Sequence, residues 1–140
     1  MKKMLTPTVF LSGPMRCVAR KDTVQWRLKT RSLLPHAKII DPMRGRRDHE
    51  IMPNARLAVC RDFLDVRSSD VILVSDIFIG VPMVGTAMEI HFAKTLGKMI
   101  IAFGDANRDD YFLSSFIDFW FDSLEEACSF IETAMCNNEN

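Results

Sequence analysis

The stretch Ser69–Phe103, SDVILVSDIFIGVPMVGTAMEIHFAKTLGKMIIAF, decides the fold. Val71–Val74 and Met99–Ala102 are short apolar runs rich in β-branched side chains, the pattern of strands covered on both faces of a parallel sheet. Between them, Gly85–Leu96 has the composition of a helix stopped by Gly97. Ala87, Ile90, Ala93, Lys94 and Leu96 put small and apolar groups on one side of it. Strand, helix and strand make a βαβ unit. Glu89 falls in the first turn of the predicted helix, at the carboxyl end of the preceding strand.

Outward from that unit the same alternation continues. Toward the amino terminus, Thr8–Ser12 is a short apolar run stopped by the turn pair Gly13-Pro14. Thr23–Leu34 is an amphipathic helix with Trp26, Leu33 and Leu34 on its apolar side and Asp22 as the expected N-cap. Ala37–Ile40 is a second strand ending at Asp41-Pro42. Residues 43–53 are charged and irregular and read as a mobile loop, after which Asn54 caps a helix reaching Ser68 with Leu57, Ala58, Phe63 and Val66 among its apolar positions. Toward the carboxyl terminus, strand 99–103 leads to the polar loop GDANRDD and a helical turn near 112–116. A fifth strand is expected at 117–121. Ser123 then caps the last helix, with Glu126 completing a capping box.

Strands alternating with helices imply an α/β fold: a single-domain, three-layer α/β/α sandwich around a five-stranded, mainly parallel sheet of the flavodoxin or Rossmann kind. One domain is expected over residues 1–140, with its core at about 8–135. In such sheets ligands bind outside the carboxyl ends of the strands. Three polar segments converge there: Gly13–Arg16, Asp41–Arg47 and Asp76–Glu89.

The 18 Lys and Arg residues equal the 18 Asp and Glu residues, so the net charge gives no reason to expect a nucleic-acid polymer as partner. A small anion needs only a few local cations and stays compatible with this balance. Cys17, Cys60, Cys128 and Cys136 are irregularly spaced, as reduced thiols of a cytoplasmic protein would be. No apolar run reaches the ~18 residues of a membrane span, and MKKMLTPTVFL is too short in its apolar part for a signal peptide. A cytoplasmic protein without a membrane partner is expected.

The residues at the converging edge each carry two readings. Thr86-x-x-Glu89 has the spacing of a helix capping box. A carboxylate near a helix amino terminus is also kept ionised by the helix dipole, as a nucleophile attacking a sugar carbon requires. Asp62, between Arg61 and Arg67 and near Asp65, belongs to a solvated helix face or serves as the second carboxyl group of a glycosidase. Gly13-Pro14-Met15-Arg16 is a turn, or its amides and the Arg16 guanidinium hold a phosphate. Arg44, Arg46 and Arg47 are solvated or contact an anion. His36, His49 and His91 do not form a ligand set, and neither a metal nor a cofactor is assigned. DVILVSDIFIG also resembles the acceptor strand of a response-regulator receiver, with Asp76 as phosphoacceptor, but TVFLSGPM supplies no acids to hold magnesium.

FLSGPMR (10–16), RDFLDVRSSDVILV (61–74) and the GT-x-x-E-I-x-x-A-x-x-x-GK element (85–98) together resemble the nucleoside 2-deoxyribosyltransferase family, which includes the 2'-deoxynucleoside 5'-phosphate N-hydrolases. The likeness runs from about Val9 to Ile131. IIDPMRGR (39–46) is similar to a stretch of its phage and bacterial members. The resemblance implies cleavage of an N-glycosidic bond, with Glu89 as nucleophile and Asp62 orienting the substrate and helping to protonate the leaving base. It further implies that Gly13, Pro14, Met15 and Arg16 form a phosphate loop. Met83, Gly85 and Thr86 would contact substrate, as would Arg44. Ser114 would be lent to the phosphate site of a neighbouring subunit, so a homodimer or larger assembly is implied. Met83 stands where the hydrolases carry a phosphate-binding serine and the transferases an aspartate, and His91 where glycine is usual. A catalytically inactive nucleotide-binding module is the alternative from another class.

Overall fold

The computed structural model describes residues 6–45 and 55–136. Their elements are β1 (Thr8–Ser12), α1 (Arg20–Leu33), β2 (Lys38–Ile40), α2 (Ala55–Ser68), β3 (Val71–Asp76), α3 (Val84–Thr95), β4 (Met99–Gly104), α4 (Tyr111–Phe116), β5 (Phe119–Phe121) and α5 (Leu124–Met135). The strands lie in the order β2-β1-β3-β4-β5, and all four pairings are parallel. The architecture is the α/β/α sandwich expected from the sequence.

The apolar runs account for this arrangement. Every residue of β3 is buried, because side chains alternate between two covered faces. Val71 and Leu73 join Val9, Leu11, Trp26, Leu34, Ile101, Ile131 and others against α1 and α5. Ile72 and Val74 join Phe10, Val66, Ile90 and Ala93 against α2 and α3. Each such aliphatic side chain stabilises the fold by about 1.5–3 kcal/mol relative to exposure. Strand order reverses direction between β1 and β3, which opens a crevice at their carboxyl ends.

Helix starts differ from the sequence reading in two places. α1 begins at Arg20 with Ala19 as N-cap, so Asp22 lies inside the first turn, and the Thr23 hydroxyl donates to the Arg20 carbonyl at 2.9 Å. α3 begins at Val84, with Met83 at the cap position and no side-chain cap. The Ala87 amide closes the first helical bond on the Met83 carbonyl at 2.8 Å, which places Thr86 within the helix and buries it. Thr86 is therefore not a capping-box residue, and Glu89, the sixth helical residue, sits in the second turn. The Ser123 cap holds: its Oγ accepts from the Glu126 amide. The Asn54 cap and most of the expected loop at 43–53 lie outside the described residues.

Gly104, at the end of β4, has φ +104°, and a Cβ there would stand 2.3 Å from the Asp76 carbonyl oxygen. Only glycine satisfies both the backbone conformation and the close approach.

Candidate active site

A cavity of about 430 Å³ opens at the carboxyl ends of β1 and β3. The β1–α1 turn lines it with Gly13, Pro14, Met15 and Arg16, and the β2–α2 loop with Pro42. Asp62 reaches it from α2. Pro82, Val84, Gly85, Thr86 and Glu89 reach it from the β3–α3 segment. Three parts of the chain far apart in sequence thus bring two carboxylates and one guanidinium to one crevice. Arg16 is exposed, while Asp62 and Glu89 are half-buried.

Glu89 is held by Ser12, the last residue of β1. The Ser12 hydroxyl, fully buried, donates to Glu89 Oε1 at 2.8 Å. Beneath the same turn lies Arg27, 1% exposed. Its Nη2 donates to the carbonyls of Leu11 and Gly13, both at 3.4 Å, and its Nη1 to the Thr23 carbonyl at 3.0 Å. The Asp41 carboxylate lies 3.6 Å from Arg27 Nε and offsets part of the buried charge. Space at Gly13 is tight: an added Cβ would stand 3.1 Å from both Ser75 Cβ and the Trp26 ring, which would have to give by a few tenths of an ångström.

The wall carrying Asp62 is fixed by a second set of arginines. Arg61 donates to the carbonyls of Pro42 at 2.6 Å and Arg44 at 3.2 Å. Arg44 makes a bidentate pair with Asp65, at 2.7 and 3.0 Å. Those hydrogen bonds, with the charges of Asp65, Asp62 and Asp41, hold the Arg44 guanidinium above its usual value. Arg44 braces the loop and is not among the cavity-lining side chains.

Other residues singled out in the sequence are placed elsewhere. Met83 is partly buried against the α2–α3 core. Ser114 bonds within α4, its Oγ donating to the Asp110 carbonyl at 2.7 Å, and does not line this cavity. His91 packs edge-on against Phe116, and His36 Nδ1 lies 2.9 Å from Glu132 Oε2. Arg46, Arg47 and His49 lie outside the described residues. Among the described residues, no group of three His, Cys, Asp or Glu side chains could hold a metal ion, and no helix is long and apolar enough to cross a membrane.

Asp76 does not have the setting of a phosphoacceptor. It is 2% exposed, and its two oxygens accept from the Asn107 amide and the Asn107 side chain, both at 2.8 Å. Burial pushes its carboxyl group up, and the Asn107 hydrogen bonds work against that rise. Cys17 and Cys60 are exposed, Cys128 and Cys136 are buried, and burial pushes the Cys128 thiol up to about 12.

Sequence reasoning missed Ser12, Arg27 and Pro42. For Arg27 a signal exists: Thr23, Arg27, Thr30 and Leu34 follow helical spacing, and all four are buried, so the arginine lies on the inward stripe. Ser12 carries no signal beyond its place at the end of a strand.

No protein-family model matches the chain, and no curated protein matches it in sequence. Solved structures match it closely in shape. A 2-deoxyribosyltransferase from Bacillus psychrosaccharolyticus superposes with TM-score 0.72 at 13% identity, over 95% of this chain and 99% of that one. A deoxyribosyltransferase from Leishmania mexicana superposes with TM-score 0.68 at 17% identity, over 91% and 98%. A CMP N-glycosidase from Clostridium botulinum superposes with TM-score 0.56 at 16% identity, over 90% and 98%. At these identities the likeness is one of fold, and the chain has the α/β fold of the deoxyribosyltransferase structures.

Proposed function

We propose that the chain is an N-glycosidase that cleaves the bond between base and sugar in a 2'-deoxynucleoside or its 5'-monophosphate. The observation that carries this reading is the pair of carboxylates, Glu89 and Asp62, lining one crevice together with the Gly13–Arg16 turn. The fold shared with two deoxyribosyltransferases and a CMP N-glycosidase supports it.

The chemistry that fits is double displacement through an oxocarbenium-like transition state. A Glu89 oxygen forms a bond to the anomeric carbon as the carbon–nitrogen electron pair leaves with the base. Asp62 orients the sugar and delivers a proton to the departing base nitrogen. The resulting glycosyl ester is broken by water, giving a free sugar and a restored carboxylate, or by a second base, giving an exchanged nucleoside. Arg16 and the amides of the turn hold the 5'-phosphate. Met15, Gly85 and Thr86 shape the space for sugar and base. The site is completed in a homodimer or larger assembly by Ser114 of a neighbouring subunit, which is consistent with Ser114 lying away from its own cavity. No metal is required.

Incubation with a panel of nucleosides and 5'-monophosphates, followed by chromatography of free base, tests this reading. Base release that disappears in Glu89→Ala supports it, and equal release by that variant ends it. Base appearing only when an acceptor base is added identifies a transferase. Saturable nucleotide binding without base release over hours identifies a binding module instead.

A further inference from the structure

The helix dipole acts within the first turn of a helix and falls off beyond it. Glu89, in the second turn of α3, lies past that reach. A carboxylate that must stay ionised and aimed at a sugar carbon therefore needs a donor of its own. We propose that Ser12 is the positioning residue that aims the Glu89 carboxylate and keeps it charged, an inference that rests on Glu89 being the nucleophile.

Three observations carry it. The Ser12 hydroxyl donates to Glu89 Oε1 at 2.8 Å, and Ser12 is fully buried, so the donor side of the bond is shielded from bulk water. Ser12 sits on β1, an interior strand of the sheet, in register with Val74 of β3. Its two neighbours in sequence, Leu11 and Gly13, have their carbonyls fastened by Arg27. The donor is thus fixed to the sheet while its acceptor rides on a helix. A hydrogen bond to an ionised acceptor is about twice as strong as one between neutral groups.

The charges around Glu89 act in opposite senses. Among the described residues lining the cavity, the Arg16 guanidinium from the β1–α1 turn would favour the ionised form, and Asp62 from α2 would oppose it only while it is itself ionised. From the β2–α2 loop, Arg44 is paired with Asp65, and Arg27 beneath β1 faces Asp41. From β3, Asp76 is turned to Asn107. Ser12 is a neutral donor in direct contact with the carboxylate. When the glycosyl ester breaks, the bonding pair returns to the carboxylate, and its charge re-forms against the Ser12 hydroxyl.

Carbon-13 NMR titration of glutamate-labelled protein, with Glu89→Gln assigning the resonance, reads the ionisation without turnover. Ser12→Ala is expected to raise the Glu89 midpoint by about one pH unit, and Ser12→Thr to return it. The acid limb of base release from 2'-deoxynucleoside 5'-monophosphates should move up with it. kcat should fall about ten- to a hundredfold, with KM little changed. An unmoved midpoint and an unmoved acid limb in Ser12→Ala overturn the proposal. Should that variant not fold, Ser12→Cys, close in volume and a weak donor, is expected to shift part of the way, and an unshifted midpoint overturns the proposal equally. Base release by Glu89→Gln at the wild-type rate would instead remove the nucleophile reading, while the titration still decides the Ser12 contact.

Discussion

Two acids follow the same strand and end in opposite circumstances. Asp76 closes β3 at a packed corner: 2% exposed, with both oxygens on Asn107, and with the Asp76 carbonyl pressed against Gly104. Glu89, thirteen residues on, stands at an open corner, where Ser12 holds one oxygen and a cavity of about 430 Å³ lies in front. Gly85, on the same side, has nothing within 4 Å of a would-be Cβ. The packed corner spends its carboxylate on pinning the β4–α4 loop. The open corner orients its carboxylate and leaves space for a reacting partner. Position at the carboxyl edge of a parallel sheet is common to both acids, so the donors around each one separate structural from chemical roles.

Removing each acid sets the comparison at its sharpest. Glu89→Gln should lower base release on the order of a thousandfold or more, with the thermal transition close to wild type, because a neutral amide cannot form the glycosyl ester. Steady-state kinetics and a melting curve on one preparation check both halves. Equal turnover would show that the open corner is no more chemical than the packed one. The largest stability effect belongs to the other corner. Gly104→Ala places a methyl group 2.3 Å from the Asp76 carbonyl oxygen at a φ of +104°, and should cost about 3 kcal/mol or more in urea denaturation. A cost under about 1 kcal/mol would mean that the corner yields.

Asp76→Asn should be milder, about 1–3 kcal/mol, because one Asn107 donor loses its acceptor while catalysis per folded molecule is retained. The pH dependence carries a sign. Burial raises the Asp76 carboxyl in the folded state, so the folded chain binds that proton more tightly than the unfolded chain. Stability from this group then falls as pH rises from the ordinary carboxylate value through the raised folded value. The difference in unfolding free energy between wild type and Asp76→Asn, followed over that interval, should show the negative slope. A flat difference would mean that Asn107 fully offsets the burial.

Much of this was legible in the residues. The apolar runs at 71–74 and 99–102 and the Gly97 stop located the central βαβ unit, since buried parallel strands tolerate little polarity. The Gly13–Arg16 turn and Glu89 follow strands and so fall at the ligand-binding edge, whereas Asp62, on α2, was singled out by the family resemblance; all of them line one cavity. Helix starts were not. Asp22 and Thr86 both have capping chemistry, but backbone bonding began α1 at Arg20 and α3 at Val84, earlier than either residue. Arg44 looked available to an anion until the fold brought Asp65 within 2.7 Å, a contact between residues 21 apart. Ser12 and Glu89 are 77 residues apart in sequence and meet only in the folded chain.

Gly85 gives the smallest expected effect, and it distinguishes open space from mere absence of a side chain. It lies in the first turn of α3, and its φ is not in the left-handed region, so alanine is compatible with its backbone. Gly85→Ala should stabilise the protein by about 0.5–1 kcal/mol, by lowering the conformational freedom of the unfolded chain. The added methyl group points into room, so kcat should stay close to wild type. A larger side chain tests the room itself: Gly85→Leu should keep the helix and raise KM, because its side chain competes with substrate for the cavity wall. Denaturation curves and Michaelis parameters for the two variants separate the effects. Loss of stability in Gly85→Ala would show that this corner is as closely packed as the one at Gly104. Unchanged KM in Gly85→Leu would place the substrate away from the first turn of α3.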